Sequence, residues 1–354
     1  MAIGAVSVRR RLESLERLTV GFDARLTRQQ SVGMKAYVRE LHERLPRVAP
    51  EFSFVFVTRG GNFGWDEQIS LPLALRRARV DLAHYPSPYV PLAAGRRFVV
   101  TIHDLIHLRF PEYFKAKVAP YYRLVVRRAC DRAARVITDD RRTVGDLQRF
   151  LGVDPRKVRV IPLGVGERFY APASPYAAAR PYALYVGNHR AHKNLATLFA
   201  AWSALPETTA LDLYVTGPDD FGGELERLRR PSREVRALGD VSVDELIGYY
   251  AGATALVSPA FCEGFGLPML EAMAAGCPVL ASDEAIPEVL EPAAATFPAR
   301  SAEALRALLE EMASGGQRRI RMVERGKRIA LELSWDRCAR ATADVYAEVF
   351  STSC

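Results

Sequence analysis

Residues 253–271 read ATALVSPAFCEGFGLPMLE. The stretch opens on a short apolar run, Ala253 to Ser258, passes through a loop carrying Glu263, Gly264 and Gly266, and enters a segment rich in Met, Leu and Ala. An unbroken apolar run of this length suits a parallel strand buried on both faces, and the segment after it suits a helix. Pro268 fits a first helical turn, where its missing N–H leaves no bond unmade. The stretch therefore reads strand–loop–helix, with its polar chemistry at the carboxyl end of the strand.

The same pattern recurs along the chain. In the first half the runs are Leu18 to Phe22, Phe52 to Thr58, Leu82 to Tyr85, Phe98 to Ile102, Val136 to Thr138 and Val158 to Leu163. Tyr182 to Val186, Ala210 to Thr216 and Pro278 to Ala281 join Ala253 to Ser258 in the second. Between them lie segments of helical period; Leu195, Leu198, Phe199, Trp202 and Leu205 fall on one face. This alternation predicts an α/β fold of two doubly wound domains. A length of 354 residues fits two domains of about 150 to 180 residues each. A linker is expected over Ala171 to Pro181, rich in Pro and Ala. The expected domains are 1–172 and 173–334, with 335–354 a closing helix centred on Trp335 to Phe350. Ligands of open parallel sheets sit beyond the carboxyl ends of the strands, so two such domains facing across a cleft would hold one there.

Composition narrows the class. At 49% hydrophobic and 25% charged residues, wholesale disorder is excluded. The longest charge-free run, Leu246 to Cys262, is 17 residues broken by Gly248, Gly252 and Pro259, too short to span a bilayer. Met1 to Val8 offers no apolar core before Arg9, so no signal peptide is expected. Cys130, Cys262, Cys277, Cys338 and Cys354 never fall as C-x-x-C, which argues against a structural zinc site and for a cytoplasmic protein. The net charge of +8 is uneven: residues 1–170 carry 31 Lys+Arg against 17 Asp+Glu (+14), the remainder 18 against 24 (−6). Two readings stand. The basic half meets an anionic membrane surface, or its arginines (Arg123, Arg127, Arg128, Arg132, Arg135) are solvated helix faces. Nucleic acid is not expected, because no aromatic platforms interleave the basic residues.

The loops carry the chemistry. In Cys262 to Glu271, the glycines let backbone approach a ligand, and the freed amides of Phe265, Gly266 and Leu267 at a helix start suit a diphosphate. Glu271, one turn on, can accept hydrogen bonds from vicinal ribose hydroxyls, while Glu263 can reach a sugar; the plain alternative for Glu271 is a carboxylate answering the helix dipole. After Tyr182 to Val186 comes Gly187-Asn188-His189-Arg190-Ala191-His192-Lys193-Asn194, where Lys193 as a point charge and Arg190 as a fork suit a phosphate pair and Asn194 suits an N-cap. His103 ends a buried strand and can exchange hydrogen bonds with a sugar hydroxyl, though a lone histidine is more often structural. Gly33, ahead of the helix Lys35 to Leu45, is either a backbone-approach glycine or an ordinary loop residue. G-x-G-x-x-G after the first strand, a P-loop, H-E-x-x-H, G-x-S-x-G and D-x-D are all missing.

Together these residues resemble glycosyltransferase family 4, the retaining nucleotide-sugar transferases of GT-B fold, over nearly the whole chain. Glu263 to Glu271 matches the family's E-x7-E element, and Gly187 to Asn194 its loop ending in Lys-Asn. Val99 to Asp104 with Phe110-Pro111-Glu112, Ile161 to Val165, Gly239-Asp240-Val241 with Glu245, Leu246 and Tyr250, and Ile286 to Val289 match further stretches. The resemblance implies that Glu271 holds the ribose, that Lys193 neutralises the diphosphate, and that Glu263 and the Phe265 to Leu267 amides grip sugar and phosphates. It also implies that His103 sits near the sugar, that Gly33 meets the diphosphate, and that Asp240 and Val241 lie where the base is held. It implies no metal and no cofactor beyond the donor, GDP-mannose first, with a hexose passed to a glycan or lipid-linked acceptor in surface-polysaccharide assembly. Lys35, Asn188, Ala260 and Asp140 to Thr143 depart from the family's usual wording. A non-catalytic sugar-nucleotide-binding homologue and an epimerase on the same fold are the alternatives.

Overall fold

A computed structural model describes residues 17–171 and 174–351; Arg9, Arg10, Arg11 and Cys354 lie outside the described residues. The chain divides into two compact units, 1–164 with 335–354, and 165–334. The division thus falls between Gly164 and Val165, ahead of the Ala171 to Pro181 stretch.

In the first unit six parallel strands form one sheet: β1 (Thr19–Asp23), β2 (Ser53–Val57), β3 (Leu82–Tyr85), β4 (Phe98–Thr101), β5 (Arg135–Thr138) and β6 (Val158–Val160), in the order β2-β1-β3-β4-β5-β6. β3, β4 and most of β5 are buried along their length, as the apolar runs required. Their side chains join Leu71, Leu75, Val126, Leu147 and Leu151 from the flanking helices in one core. The chain's last helix, Trp335–Ser351, returns to this unit and packs on the helix Val32–Val48. Trp335 lies against Tyr37, and Asp336 pairs with Arg44 at 3.1 Å and Arg47 at 2.5 Å. Deeper in, Tyr346 Oη meets His84 Nδ1 at 2.7 Å, and His84 Nε2 meets Thr101 Oγ1 at 2.8 Å.

The second unit repeats the scheme with β7 (Tyr182–Tyr185), β8 (Asp212–Val215), β9 (Val235–Ala237), β10 (Ala255–Ser258), β11 (Val279–Ser282) and β12 (Ala294–Phe297), in the order β12-β11-β10-β7-β8-β9 and parallel throughout. The predicted face of Leu195, Leu198, Phe199, Trp202 and Leu205 is buried in its core. β9 and β12 were not expected from the sequence. Both are edge strands, half-exposed in pattern, and so lack the continuous apolar run that marks a central one. Arg135, expected on a helix, opens β5 and pairs with Glu348 of the last helix at 2.9 Å.

Strand order fixes where ligands go. In the second unit the chain starts at β7, builds β8 and β9 to one side, then crosses to β10 and builds outward on the other. The switch point lies between β7 and β10, and the loops after those two strands flank the crevice that such a reversal opens.

Candidate active site

The loop after β7 runs through Gly187 to Asn194 and closes in a 3-10 turn, Ala191–Lys193. Asn194 was expected as an N-cap. It stands at the N-cap position of the helix Leu195–Ser203, but in left-handed backbone (φ 57°, ψ 39°) and with no capping bond from its side chain. Its Nδ2 donates to the carbonyls of Pro259 at 2.9 Å and Ala299 at 2.7 Å, and its Oδ1 accepts from Thr197 Oγ1 at 2.9 Å. The Phe261 amide donates to the His192 carbonyl at 2.9 Å. The bonds to Pro259 and from Phe261 bolt the loop after β7 to the loop after β10, and the bond to Ala299 ties it to the residues after β12. On that frame Lys193 Nζ donates to Glu263 Oε1 at 2.6 Å, with only 14% and 17% of the two side chains exposed.

The loop after β10 enters the helix Leu267–Ala274 with Pro268 in its first turn, as read from the sequence. Gly266 precedes it at φ 70°, a left-handed conformation that disfavours any residue with a Cβ. Its carbonyl takes the Met269 amide at 2.9 Å. The amides of Phe265, Gly266 and Leu267 donate to no partner among the described residues. Phe265's ring is buried, so its contribution is its backbone. One turn on, Glu271 Oε2 accepts from Tyr250 Oη at 3.1 Å. Burial pushes the Glu271 carboxyl up to about 7, against the lowering effect of the Tyr250 bond.

The remaining second-unit candidates sit around this group. Arg190 is exposed, its backbone amide bonded to Asn188 Oδ1 at 3.2 Å. Asp240 and Val241 lie in the loop before the helix Val243–Gly252, whose Ser242–Glu245 capping box uses up Glu245. No side-chain hydrogen bond joins Arg190 or Asp240 to Lys193, Glu263 or Glu271 among the described residues.

In the first unit His103 follows β4, buried, with Nδ1 2.6 Å from Asp139 Oδ2 at the end of β5. Burial alone would lower the imidazole's pKa; the Asp139 carboxylate outweighs it and holds the ring above its ordinary value. The Tyr37 ring stands edge-on to the imidazole at 4.8 Å. Asp139 escaped sequence reasoning; the only signal was a Thr-Asp-Asp sequence closing an apolar strand. Gly33 is corrected: it lies inside the helix Val32–Val48, because the Ser31 hydroxyl accepts from the Met34 amide at 3.2 Å and starts that helix earlier than its apolar pattern suggested. Cys130, Cys262, Cys277 and Cys338 are buried and unbridged. Among the described residues no three His, Cys, Asp or Glu side chains are placed to share a metal ion.

Residues 31–168 match the family model described as Glycosyltransferase Family 4, and residues 180–314 that described as Glycosyl transferases group 1. O-antigen chain mannosyltransferase B of Escherichia coli is 30% identical over 293 residues, 77% of this chain and 76% of that protein. O-antigen chain mannosyltransferase RfbU of Salmonella typhimurium is 29% identical over 191 residues, 53% of this chain and about half (52%) of that protein. The solved structure of a sucrose-phosphate synthase from Thermosynechococcus elongatus superposes over 95% of this chain and 100% of its own with a TM-score of 0.73 at 19% identity, a likeness of fold. With two six-stranded parallel sheets of GT-B type and these relatives, the chain belongs to glycosyltransferase family 4 and is a glycosyltransferase.

Proposed function

We propose that this enzyme transfers a hexose, mannose first, from a nucleoside diphosphate-sugar to a glycan or lipid-linked acceptor of surface-polysaccharide assembly, with retention of anomeric configuration and without a metal ion. The observation that carries this reading is the Lys193–Glu263 pair, bolted between the two switch-point loops beside undonated amides. Lys193, Arg190 and the amides of Phe265, Gly266 and Leu267 are assigned to the diphosphate, where positive charge and fixed donors stabilise the leaving group. Glu271 is assigned to the ribose, Asp240 and Val241 to the base, and Glu263 and His103 to the transferred sugar. The Gly33 amide, in a first helical turn, is assigned to the diphosphate. GDP-mannose is the favoured donor because mannosyltransferases stand among the relatives.

Thermal-shift measurements with GDP-, UDP- and dTDP-sugars test the donor, since only a ligand of the native state raises the melting temperature. GDP-mannose is expected to stabilise most, and transfer is expected to survive EDTA and keep the donor's anomeric configuration. Stabilisation by another nucleotide alone overturns the donor; inversion, or loss of transfer in EDTA, overturns the mechanism.

Peripheral contact with an anionic membrane through the first unit belongs to the same reading. Trp65 (80% exposed), Ile69 and Leu73 are exposed four residues apart along a helical segment that ends in Arg76 and Arg77. Apolar side chains beside arginines suit a lipid surface, with about 1 kcal/mol for each basic residue near it. Among the described residues no helix is long and apolar enough to cross a membrane. Co-sedimentation with vesicles that ignores anionic lipid content and salt overturns this contact.

A further inference from the structure

Two buried histidines in the first unit are used differently. His84 spends both ring nitrogens, Nδ1 on Tyr346 Oη and Nε2 on Thr101 Oγ1. His103 spends one. Its Nδ1 meets Asp139 Oδ2 at 2.6 Å, while its Nε2 and Asp139 Oδ1, both buried, have no hydrogen-bond partner. A buried polar atom left unmatched costs about 1–3 kcal/mol, so an arrangement that keeps one invites a functional explanation. Neighbouring groups brace the pair. Thr143 Oγ1 reaches the His103 carbonyl at 3.4 Å, Tyr37 packs edge-on against the ring, and Asp140 caps the helix Arg141–Leu151 through the Arg142 amide at 2.8 Å.

We propose that Asp139 is a positioning residue: its carboxylate fixes the His103 imidazole with Nδ1 protonated, so that Nε2 is the atom offered to a hydroxyl of the sugar substrate. The proposal rests on the assignment of His103 to the sugar. With Nδ1–H donated to Asp139, the neutral ring carries its lone pair on Nε2 and accepts a hydroxyl proton in a hydrogen bond; the protonated ring donates there instead. Either way the geometry at Nε2 is unchanged, and it is Asp139 that sets it. An amide at position 139 offers both a donor and an acceptor and no longer selects a tautomer. The other titratable groups acting on the pair are Asp104, Asp140, His84, Tyr37 and Cys338. None of them hydrogen-bonds to either ring nitrogen of His103; the Pro86 backbone also acts on the ring and raises its pKa, without completing a hydrogen bond to Nε2.

Long-range 1H–15N spectra of the full chain, labelled at histidine and titrated through the imidazole range, read the tautomer without any donor present. Wild type is expected to show neutral His103 protonated at Nδ1, and Asp139→Asn to lose that preference. In transfer assays with whichever nucleotide-sugar supports turnover, Asp139→Asn is expected to lower kcat by more than about tenfold. The donor KM is expected to move little, and the substitution to add no further loss in a His103→Ala background. A wild-type His103 protonated at Nε2, an unchanged tautomer in Asp139→Asn, or additive losses in the double variant overturns the proposal. Because the spectra need no sugar, they decide the role of Asp139 even where the donor assignment fails. If Asp139→Asn does not fold, the wild-type spectrum alone still decides.

Discussion

Lys193 and Glu263 face each other at 2.6 Å across the two loops that flank the switch point, each mostly withdrawn from water. The pair is where the E-x7-E element and the Lys-Asn loop, 70 residues apart in sequence, become one site. The lysine assigned above to the diphosphate is thus held in place by the carboxylate beside it, at the cost of desolvating both.

Lys193→Ala is expected to lower kcat by about tenfold or more, because the charge proposed to stabilise the departing diphosphate is lost. It is also expected to leave Glu263 as a half-buried unpaired carboxylate and to cost about 1–3 kcal/mol of stability. Restoring a neutral partner tests the pairing: Lys193→Ala with Glu263→Gln should recover part of the melting temperature and none of the turnover. Turnover within twofold of wild type in Lys193→Ala would remove the lysine from the mechanism.

Glu271 and His84 give stability two opposite pH slopes. Burial holds Glu271 up to about 7, against 4.5 for an ordinary glutamate. Between those values the unfolded chain sheds a proton that the folded chain keeps. This residue therefore erodes stability as pH rises through the window, by at most about 3 kcal/mol. His84 is driven by burial from 6.5 down to about 3, so the stability it supports is present above 6.5 and fades as pH falls toward 3. Glu271→Gln should stabilise the protein at the upper end of the 4.5–7 window and barely at the lower, as denaturant unfolding at both ends would show. It should also weaken nucleotide binding, since an ionised carboxylate is the stronger acceptor for ribose hydroxyls. An equal effect at both ends of the window argues against a titrating Glu271.

The central strands and their loops were legible because burial on both faces writes an unbroken apolar run, and a loop after such a run is where a glycine, lysine or carboxylate stands out. The edge strands β9 and β12 were not, because Val235–Ala237 and Ala294–Phe297 are too short and too weakly apolar to write such a run, unlike the edge strands β2 and β6. Glu271 was visible by spacing, whereas its bond to Tyr250 depends on two helices packing together. Asn194 was read as a cap from its position alone, and its ties to Pro259 and Ala299 are contacts across 65 and 105 residues that no local pattern encodes. The same holds for Asp139, which gains meaning only when β5 lies beside β4.

The last helix is anchored in the first unit through His84. Tyr346→Phe removes the hydroxyl that meets His84 Nδ1 and leaves a fully buried nitrogen without a partner. The expected cost is about 1–3 kcal/mol. Because the tyrosine ring still packs on Phe52, the loss should come from the hydrogen bond and not from a cavity. Denaturant unfolding should show a lower midpoint with an unchanged slope. A variant as stable as wild type would mean that this bond contributes nothing to holding the helix.

Asn194 separates backbone from side-chain effects at the site. Asn194→Ala loses the bonds to Pro259 and Ala299 and also places a Cβ without local hydrogen-bonding help in left-handed backbone, a conformation that costs an ordinary residue about 1–2 kcal/mol. Asn194→Gly loses the same bonds without that strain. Both variants should be destabilised, the alanine more than the glycine by several tenths to about 1 kcal/mol, the glycine's extra freedom in the unfolded chain offsetting part of the difference. Both should raise the donor KM as well, because the lost bond to Pro259 ties the Lys193 loop to the Glu263 loop. If both variants bind donor as wild type does while losing stability, the bolt serves the fold alone, and Lys193 and Glu263 find each other without it.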